Sequence, residues 1–182
     1  MRYAITGSIG TGKSTIANIF KERGYIVYDA DKMVHDLYKD KNILKDIEKM
    51  FPCAFNDGVM DKNKIANIIF NDKQKKEELE NFIHPLVKDE IKKLDNVIVE
   101  VPLLFESKME DIFDKIILVY CNKDEQIKRI MDRNNLTKED AVNRINSQMD
   151  IEEKKKYSDF VIINEGDNEY INKQVDDIIT KL

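Results

Sequence analysis

One octapeptide constrains this chain more than any other feature. Gly7-Ser8-Ile9-Gly10-Thr11-Gly12-Lys13-Ser14 satisfies GxxxxGK[ST] in full. It follows an apolar run, Tyr3 to Thr6, that reads as a strand. It precedes Ser14 to Arg23, where Ile16, Ala17, Ile19 and Phe20 recur at helical spacing. A glycine-rich turn between a strand and a helix aims backbone N–H groups inward, and the helix dipole favours an anion there. Lys13 suits the β- and γ-phosphates of a nucleoside triphosphate, and the Ser14 hydroxyl suits its Mg²⁺. Residues Gly7 to Ser14 with Thr15 are therefore the candidate phosphate-binding residues, for ATP with Mg²⁺.

The remaining chain fits an α/β fold. Further short apolar runs at Tyr25–Tyr28, Val97–Val101, Ile116–Tyr120 and Phe160–Ile163 are β-branched and lack polar alternation. Such strands are buried on both faces, as in a parallel sheet covered by helices. The spacing predicts a final helix over 168–182, and Gly24 is placed to close the first helix. The expected organisation is one three-layer domain around a five-stranded parallel sheet, with core segments 1–31, 96–122 and 157–182. Residues 32–95 form a helical insert without a good strand, in which Pro85 is expected to break or kink a helix. Residues 123–156 form a second insert. There Asn122 with Glu125 and Thr137 with Asp140 resemble capping boxes starting two helices, and Lys154-Lys155-Lys156 reads as a solvated patch.

Ligands of open α/β sheets bind beyond the carboxyl ends of the strands. Asp29-Ala30-Asp31 ends the second strand and so faces the same crevice as the glycine-rich loop. Asp31 is a candidate to accept or orient an attacking hydroxyl. Glu100, between Val99 and Val101, is placed to hold Mg²⁺ as an acid at the end of a strand. Of 30 basic residues only five are arginine, and Arg129, Arg133 and Arg144 all fall in the second insert. A guanidinium fork suits bidentate phosphate contact, so this insert reads as a lid. A GTPase switch is excluded, because Asn122-Lys123-Asp124-Glu125 misplaces the guanine-reading Asp and no Asp-x-x-Gly follows the loop. A net charge of −5 argues against a nucleic-acid partner. No apolar run reaches a membrane span, the N-terminus lacks a signal-peptide layout, and Cys53 and Cys121 form no CxxC. A cytoplasmic monomer is expected.

The sequence resembles the dephospho-coenzyme A kinase family over almost its whole length. The resemblance rests on Thr6 to Ser14, Asp29-Ala30-Asp31 and His84-Pro85-Leu86, then on Val101-Pro102-Leu103-Leu104-Phe105-Glu106. It continues through Gln126 with Arg129 and Arg133, Arg144-Ile145 with Gln148, and Ser158-Asp159 to Asn164-Glu165-Gly166. It implies phosphorylation of the ribose 3′-hydroxyl of dephospho-coenzyme A by ATP, with another small-molecule kinase of the same fold as the alternative. It also implies catalytic roles for Lys13, Asp31, Arg129 and Arg133. Acceptor binding falls to Asp31, His35, His84, Pro102, Leu103, Leu104, Phe105 and Glu106. ATP contacts from Arg144, Asn164 and Gly166 complete the set, with the first insert serving the acceptor and the second the lid. Two positions depart from the family's common pattern, where arginines often stand at His35 and Lys62.

Overall fold

The computed structural model describes residues 1–182. Seven strands and nine helices follow one another as β1 (Arg2–Thr6), α1 (Lys13–Glu22), β2 (Val27–Asp29), α2 (Ala30–Leu37), α3 (Lys41–Met50), β3 (Phe55–Asn56), β4 (Val59–Met60), α4 (Lys62–Asn71) and α5 (Lys73–Lys92). Then come β5 (Val97–Glu100), β6 (Lys115–Tyr120), α6 (Lys123–Asn134), α7 (Lys138–Asn146), α8 (Ile151–Lys156), β7 (Phe160–Ile163) and α9 (Asn168–Ile179). The chain divides into two compact units, Met1–Ala30 with Leu94–Leu182, and Asp31–Lys93.

In the first unit, β1, β2, β5, β6 and β7 form one parallel sheet in the order β2-β5-β1-β6-β7. The continuous apolar runs are thus explained, since Ala4, Ile5, Ile98, Val99, Ile117, Leu118 and Val119 are fully buried. Tyr3, Ile5, Ile98, Ile117, Val119 and Ile162 share a core with Ile16, Ala17 and Phe20 of α1 and Ile171, Val175 and Ile178 of α9. Truncating Phe20 to alanine there costs about 3–5 kcal/mol. The order puts β1 at the centre, so the loop leaving it opens at the switch point where β5 and β6 flank it on opposite sides. Strand two runs over Val27–Asp29 instead of Tyr25–Tyr28. The helix C-cap holds the preceding residues, with Gly24 at φ +90 and its N–H bonded to Lys21 O at 2.9 Å. The last helix stops at Ile179, three residues short of the expected end.

The second unit is mainly helical, with α5 against α3 and α4. One expectation fails in it, and of the break or kink expected at Pro85 the break does not occur. Residues 32–95 do contain strands, the antiparallel pair β3–β4, in which Asn56 lies opposite Val59. Asp57 and Gly58 turn between them with φ +48 and +75, the pattern of a type I′ hairpin. Pro85 does not end its helix either, since α5 runs from Lys73 to Lys92 through it. Leu79, Ile83, Val87 and Ile91 are all buried along one stripe of that helix. Burial of four such side chains, at about 1.5–3 kcal/mol each, outweighs the ~3 kcal/mol cost of an interior proline.

Candidate active site

The loop after β1 is held as a fixed cradle by bonds within itself. Thr11 Oγ1 donates to Ser8 O at 3.0 Å, and the Lys13 ammonium donates to Gly7 O and Ser8 O at 3.2 and 3.0 Å. The lysine is thereby poised over the loop with its charge at the mouth. Gly10 and Gly12 adopt φ +82 and +84, conformations that side chains resist. Both are also crowded. A Cβ on Gly10 would come within 2.9 Å of Gln126 O, and one on Gly12 would collide with the Asn164 amide nitrogen. The glycines of the motif therefore allow the loop its turn and allow α6 and the end of β7 to close against it.

Ser14 Oγ donates to Glu100 Oε1 at 3.0 Å. A hydroxyl at the start of α1 and a carboxylate at the end of β5 thus converge beside the cradle. Asp29 stands in register with Glu100 on the neighbouring strand, so its backbone lies at the same edge. These are hard oxygen donors of the kind Mg²⁺ takes. No cluster of three or more His, Cys, Asp or Glu residues exists, so the protein offers no complete cage. Mg²⁺ bound by one or two protein groups together with substrate phosphates fits that donor set.

The three clustered arginines separate. Arg129 is partly buried: its Nε donates to Glu125 Oε1 at 2.8 Å, Nη2 to Asn164 O at 2.9 Å and Nη1 to Thr11 O at 3.4 Å. Asn164, itself buried, donates from Nδ2 to the same Thr11 carbonyl at 2.7 Å. Arg129 and Asn164 therefore join α6 and the end of β7 to the phosphate loop. Arg133, one turn on, and Arg144 on α7 are exposed, and Arg133 meets only Asn134 Oδ1, at 3.2 Å. Gly166, at φ +104, and Thr15 are exposed as well. The N-cap half of each expected box exists, with Asn122 Oδ1 accepting from Glu125 N and Thr137 Oγ1 from Asp140 N, but Asn122 N donates to Glu165 Oε1 instead of Glu125.

Loop and second insert are also joined by carbon. Ile9 packs against Ile127, Ile130 and Ala141. Its N–H donates to Gln148 Oε1 at 2.8 Å. Cys121 Sγ lies 3.8 Å from Gly10 O. Burial pushes the Cys121 thiol up to about 11, against the opposing pull of Arg129 and Lys13.

The segment after β5 is less open than the resemblance implies. Leu104 is fully buried, because it belongs to the core, whereas Leu103 is exposed. Phe105 packs against Tyr157 with ring centroids 6.0 Å apart. Glu106 Oε1 accepts from Met149 N at 2.9 Å and pairs with Lys154 Nζ at 2.9 Å. Lys154 also reaches Pro102 O at 3.4 Å. Its side chain is 0% exposed, so the lysine triplet is not a solvated patch: Lys155 and Lys156 face water, and Lys154 does not. The sequence offered no local signal for this, since the partner stands 48 residues away.

Within the second unit, Asp31 lies in the first turn of α2 and is exposed. His35 Nδ1 and Lys62 Nζ lie 3.2 Å apart, so the two positions that depart from the family pattern are neighbours. His84 is half-buried on α5. Burial lowers its pKa, Glu80 works against that, and Lys88 adds to it.

A model of the dephospho-CoA kinase (CoaE) family matches residues 1–169. The chain belongs to the dephospho-CoA kinase family. It is 40% identical to a dephospho-CoA kinase of Listeria monocytogenes, over 94% of this chain and 92% of that one. Against the Sulfurimonas denitrificans dephospho-CoA kinase the identity is 36%, over 98% and 92%. Among solved structures, a Campylobacter jejuni dephospho-CoA kinase superposes with a TM-score of 0.74 at 32% identity, covering 99% of this chain and 96% of that one. The Thermus thermophilus protein TT1252 gives 0.86 at 31% identity, over 100% and 97%. A shikimate kinase from Acinetobacter baumannii, at 0.59 and 13% identity over 99% and 91%, shares the fold alone. As a member of this family the chain is an ATP-dependent kinase with dephospho-CoA kinase activity, the final step of coenzyme A biosynthesis. No helix is long and apolar enough to cross a membrane.

Proposed function

We propose that the chain transfers the γ-phosphoryl group of ATP to the ribose 3′-hydroxyl of dephospho-coenzyme A, with the following division of labour. The loop Gly7–Gly12 and Lys13 hold the β- and γ-phosphates. Asp31 orients the 3′-hydroxyl and takes its proton. A bond forms between the 3′-oxygen and the γ-phosphorus, the bond from that phosphorus to the β–γ bridging oxygen breaks, and ADP leaves. Ser14 and Glu100 hold Mg²⁺, which neutralises phosphate charge when bound. The carrying observation is their 3.0 Å contact beside the loop, since it joins the motif's hydroxyl to an acid from a separate strand. Asn164 and Gly166 lie on the adenine side. Arg133 and Arg144, being exposed, are available to phosphate oxygens. His35 and His84 of the unit Asp31–Lys93 and the segment Pro102–Phe105 serve the acceptor.

The test is a panel of acceptor alcohols incubated with ATP and Mg²⁺ and read by mass spectrometry. Dephospho-coenzyme A should gain one phosphoryl group at the 3′ position, with one ADP per product. Phosphorylation of a different acceptor with none of dephospho-coenzyme A would refute the assignment. Omitting Mg²⁺, or substituting Glu100→Gln, should weaken turnover together; if Glu100→Gln leaves the Mg²⁺ dependence unchanged, the metal role belongs to other residues.

A further inference from the structure

Lys154 is a fully buried ammonium that the proposed chemistry does not use. A buried cation without compensation is costly, so its partners indicate what it is there for. They are Glu106 Oε1 at 2.9 Å and Pro102 O at 3.4 Å, two points on the segment that follows β5. The residues just before α8 continue the same theme. Met149 N–H donates to the same Glu106 oxygen, and its neighbour Gln148 accepts the N–H of Ile9 in the phosphate loop. Ser158 Oγ closes the far end on Lys154 O at 2.8 Å. Residues 148–154 thus form a strap tied at one end to the phosphate loop and at the other to Pro102–Glu106.

Open space flanks the first part of this strap. A cavity of about 520 Å³ opens beside it, lined by Tyr120, Gln126, Gln148, Met149 and Ile151 among others. A second of about 580 Å³ lies between Met149, Phe105, Tyr157 and Ile116. With space on both sides of Met149, directional polar bonds help to set where the strap lies, and they tie it to the Pro102–Glu106 segment, which Leu104 anchors in the core. Glu106 then has a task besides the acceptor contact implied by the resemblance: its Oε1 holds Met149 N–H and Lys154.

We infer that Lys154 is a positioning residue: through Glu106 it fixes the Pro102–Phe105 segment relative to the phosphate loop, and so sets acceptor against donor. The inference rests on the proposed acceptor role of that segment. It predicts an asymmetric kinetic effect, which a residue serving stability alone does not give.

The experiment compares wild type, K154M, and the double variant K154M/E106L in steady-state assays with dephospho-coenzyme A and ATP, alongside thermal melting. K154M should lose roughly 10²-fold in kcat/KM for dephospho-coenzyme A, as expected when a reacting group is misplaced by about 1 Å, while KM for ATP moves by less than about threefold. K154M should also melt lower, because it leaves the Glu106 carboxylate, itself 23% exposed, without the cation that pairs with it. The double variant removes that unpaired charge and should recover much of the melting temperature, yet still show the raised KM for dephospho-coenzyme A. Recovery of both melting temperature and KM in the double variant would overturn the inference and leave Lys154 as a stability element. Equal loss for both substrates in K154M would overturn it too. Wild-type enzyme that fails on dephospho-coenzyme A would remove the functional reading and this inference with it.

Discussion

Replacing Arg129 by lysine keeps the charge on α6 and removes the planar fork. The structure limits what this can cost. Three contacts are at stake: Glu125 Oε1 at 2.8 Å, Asn164 O at 2.9 Å and Thr11 O at 3.4 Å. Thr11 O keeps its shorter bond from Asn164 Nδ2, so losing the third contact is nearly free. The two first bonds leave the guanidinium from different nitrogens, so a single ammonium nitrogen cannot reproduce their fork, and one of the two is expected to be lost. One hydrogen bond from a charged donor, at about 1.5–3 kcal/mol, is therefore lost. The side chain is 32% exposed, which favours the lower end, about 1.5 kcal/mol or tenfold in an equilibrium constant. The Asn164–Thr11 junction loosens, and the ATP site with it. Steady-state assays varying ATP should show kcat/KM down about tenfold, with little change in KM for dephospho-coenzyme A. An Arg129→Lys enzyme within twofold of wild type, melting at the same temperature, would mean that the fork does not set the geometry of the ATP site.

Three other perturbations have defined outcomes. Asp31→Asn should leave ATP affinity by calorimetry almost intact and cut kcat by roughly 10²–10⁴-fold, because the amide cannot accept the hydroxyl proton; ATP affinity lost in step with rate would move Asp31 to the nucleotide site. Thiol titration of the native protein near pH 8 should find one fast cysteine, the exposed Cys53, whereas Cys121, buried and raised to about 11, should react only on unfolding; two fast thiols would contradict that burial. Burial alone would raise the Asp159 carboxyl, but Lys115 Nζ and Ile116 N–H, each at 2.8 Å, together hold it below 3.8. A depressed carboxyl stabilises the fold above its unfolded pKa and loses that contribution as pH falls through the folded value. Asp159→Asn should therefore melt lower than wild type at neutral pH and converge with it in acid; a constant difference across pH would exclude the ionised carboxylate as the cause.

The sheet was legible because its strands are buried on both faces, and burial writes itself into consecutive Val, Ile and Leu residues. The phosphate loop was legible because its glycines answer a local demand, a turn that few side chains tolerate. What escaped notice depends on length or on distance. Strands β3 and β4 are two residues each, too short for any period, although Asp57-Gly58 between them is a recognisable hairpin turn. At Pro85 the local cost of an interior proline competes with the buried stripe from Leu79 to Ile91, and the helix continues through it. Lys154 looks like its two solvated neighbours, and only the approach of Glu106 in the folded chain sets it apart. Arg129, Arg133 and Arg144 are alike by composition, yet the fold engages one and leaves two in solvent.

That last difference bears on what a lid can be in this enzyme. Residues 123–156 read as one inserted piece, but their first helix is not separable from the phosphate loop. Gly10 sits against the backbone of α6 so closely that a methyl group would meet Gln126 O and Ile130. Ile9 packs with Ile127, Ile130 and Ala141, and Arg129 is bonded to both Thr11 and Asn164. Moving α6 away would break these contacts together and distort the cradle proposed to bind phosphate. Interfaces packed this tightly are not continuously deformable. Any closure over ATP is then a matter of the side chains that α6 presents to solvent and of the elements beyond it. Arg133 at the end of α6 and Arg144 on α7 are the exposed guanidinium groups there. Arg129 in this arrangement is not a finger that arrives with the substrate; it belongs to the wall of the proposed ATP site.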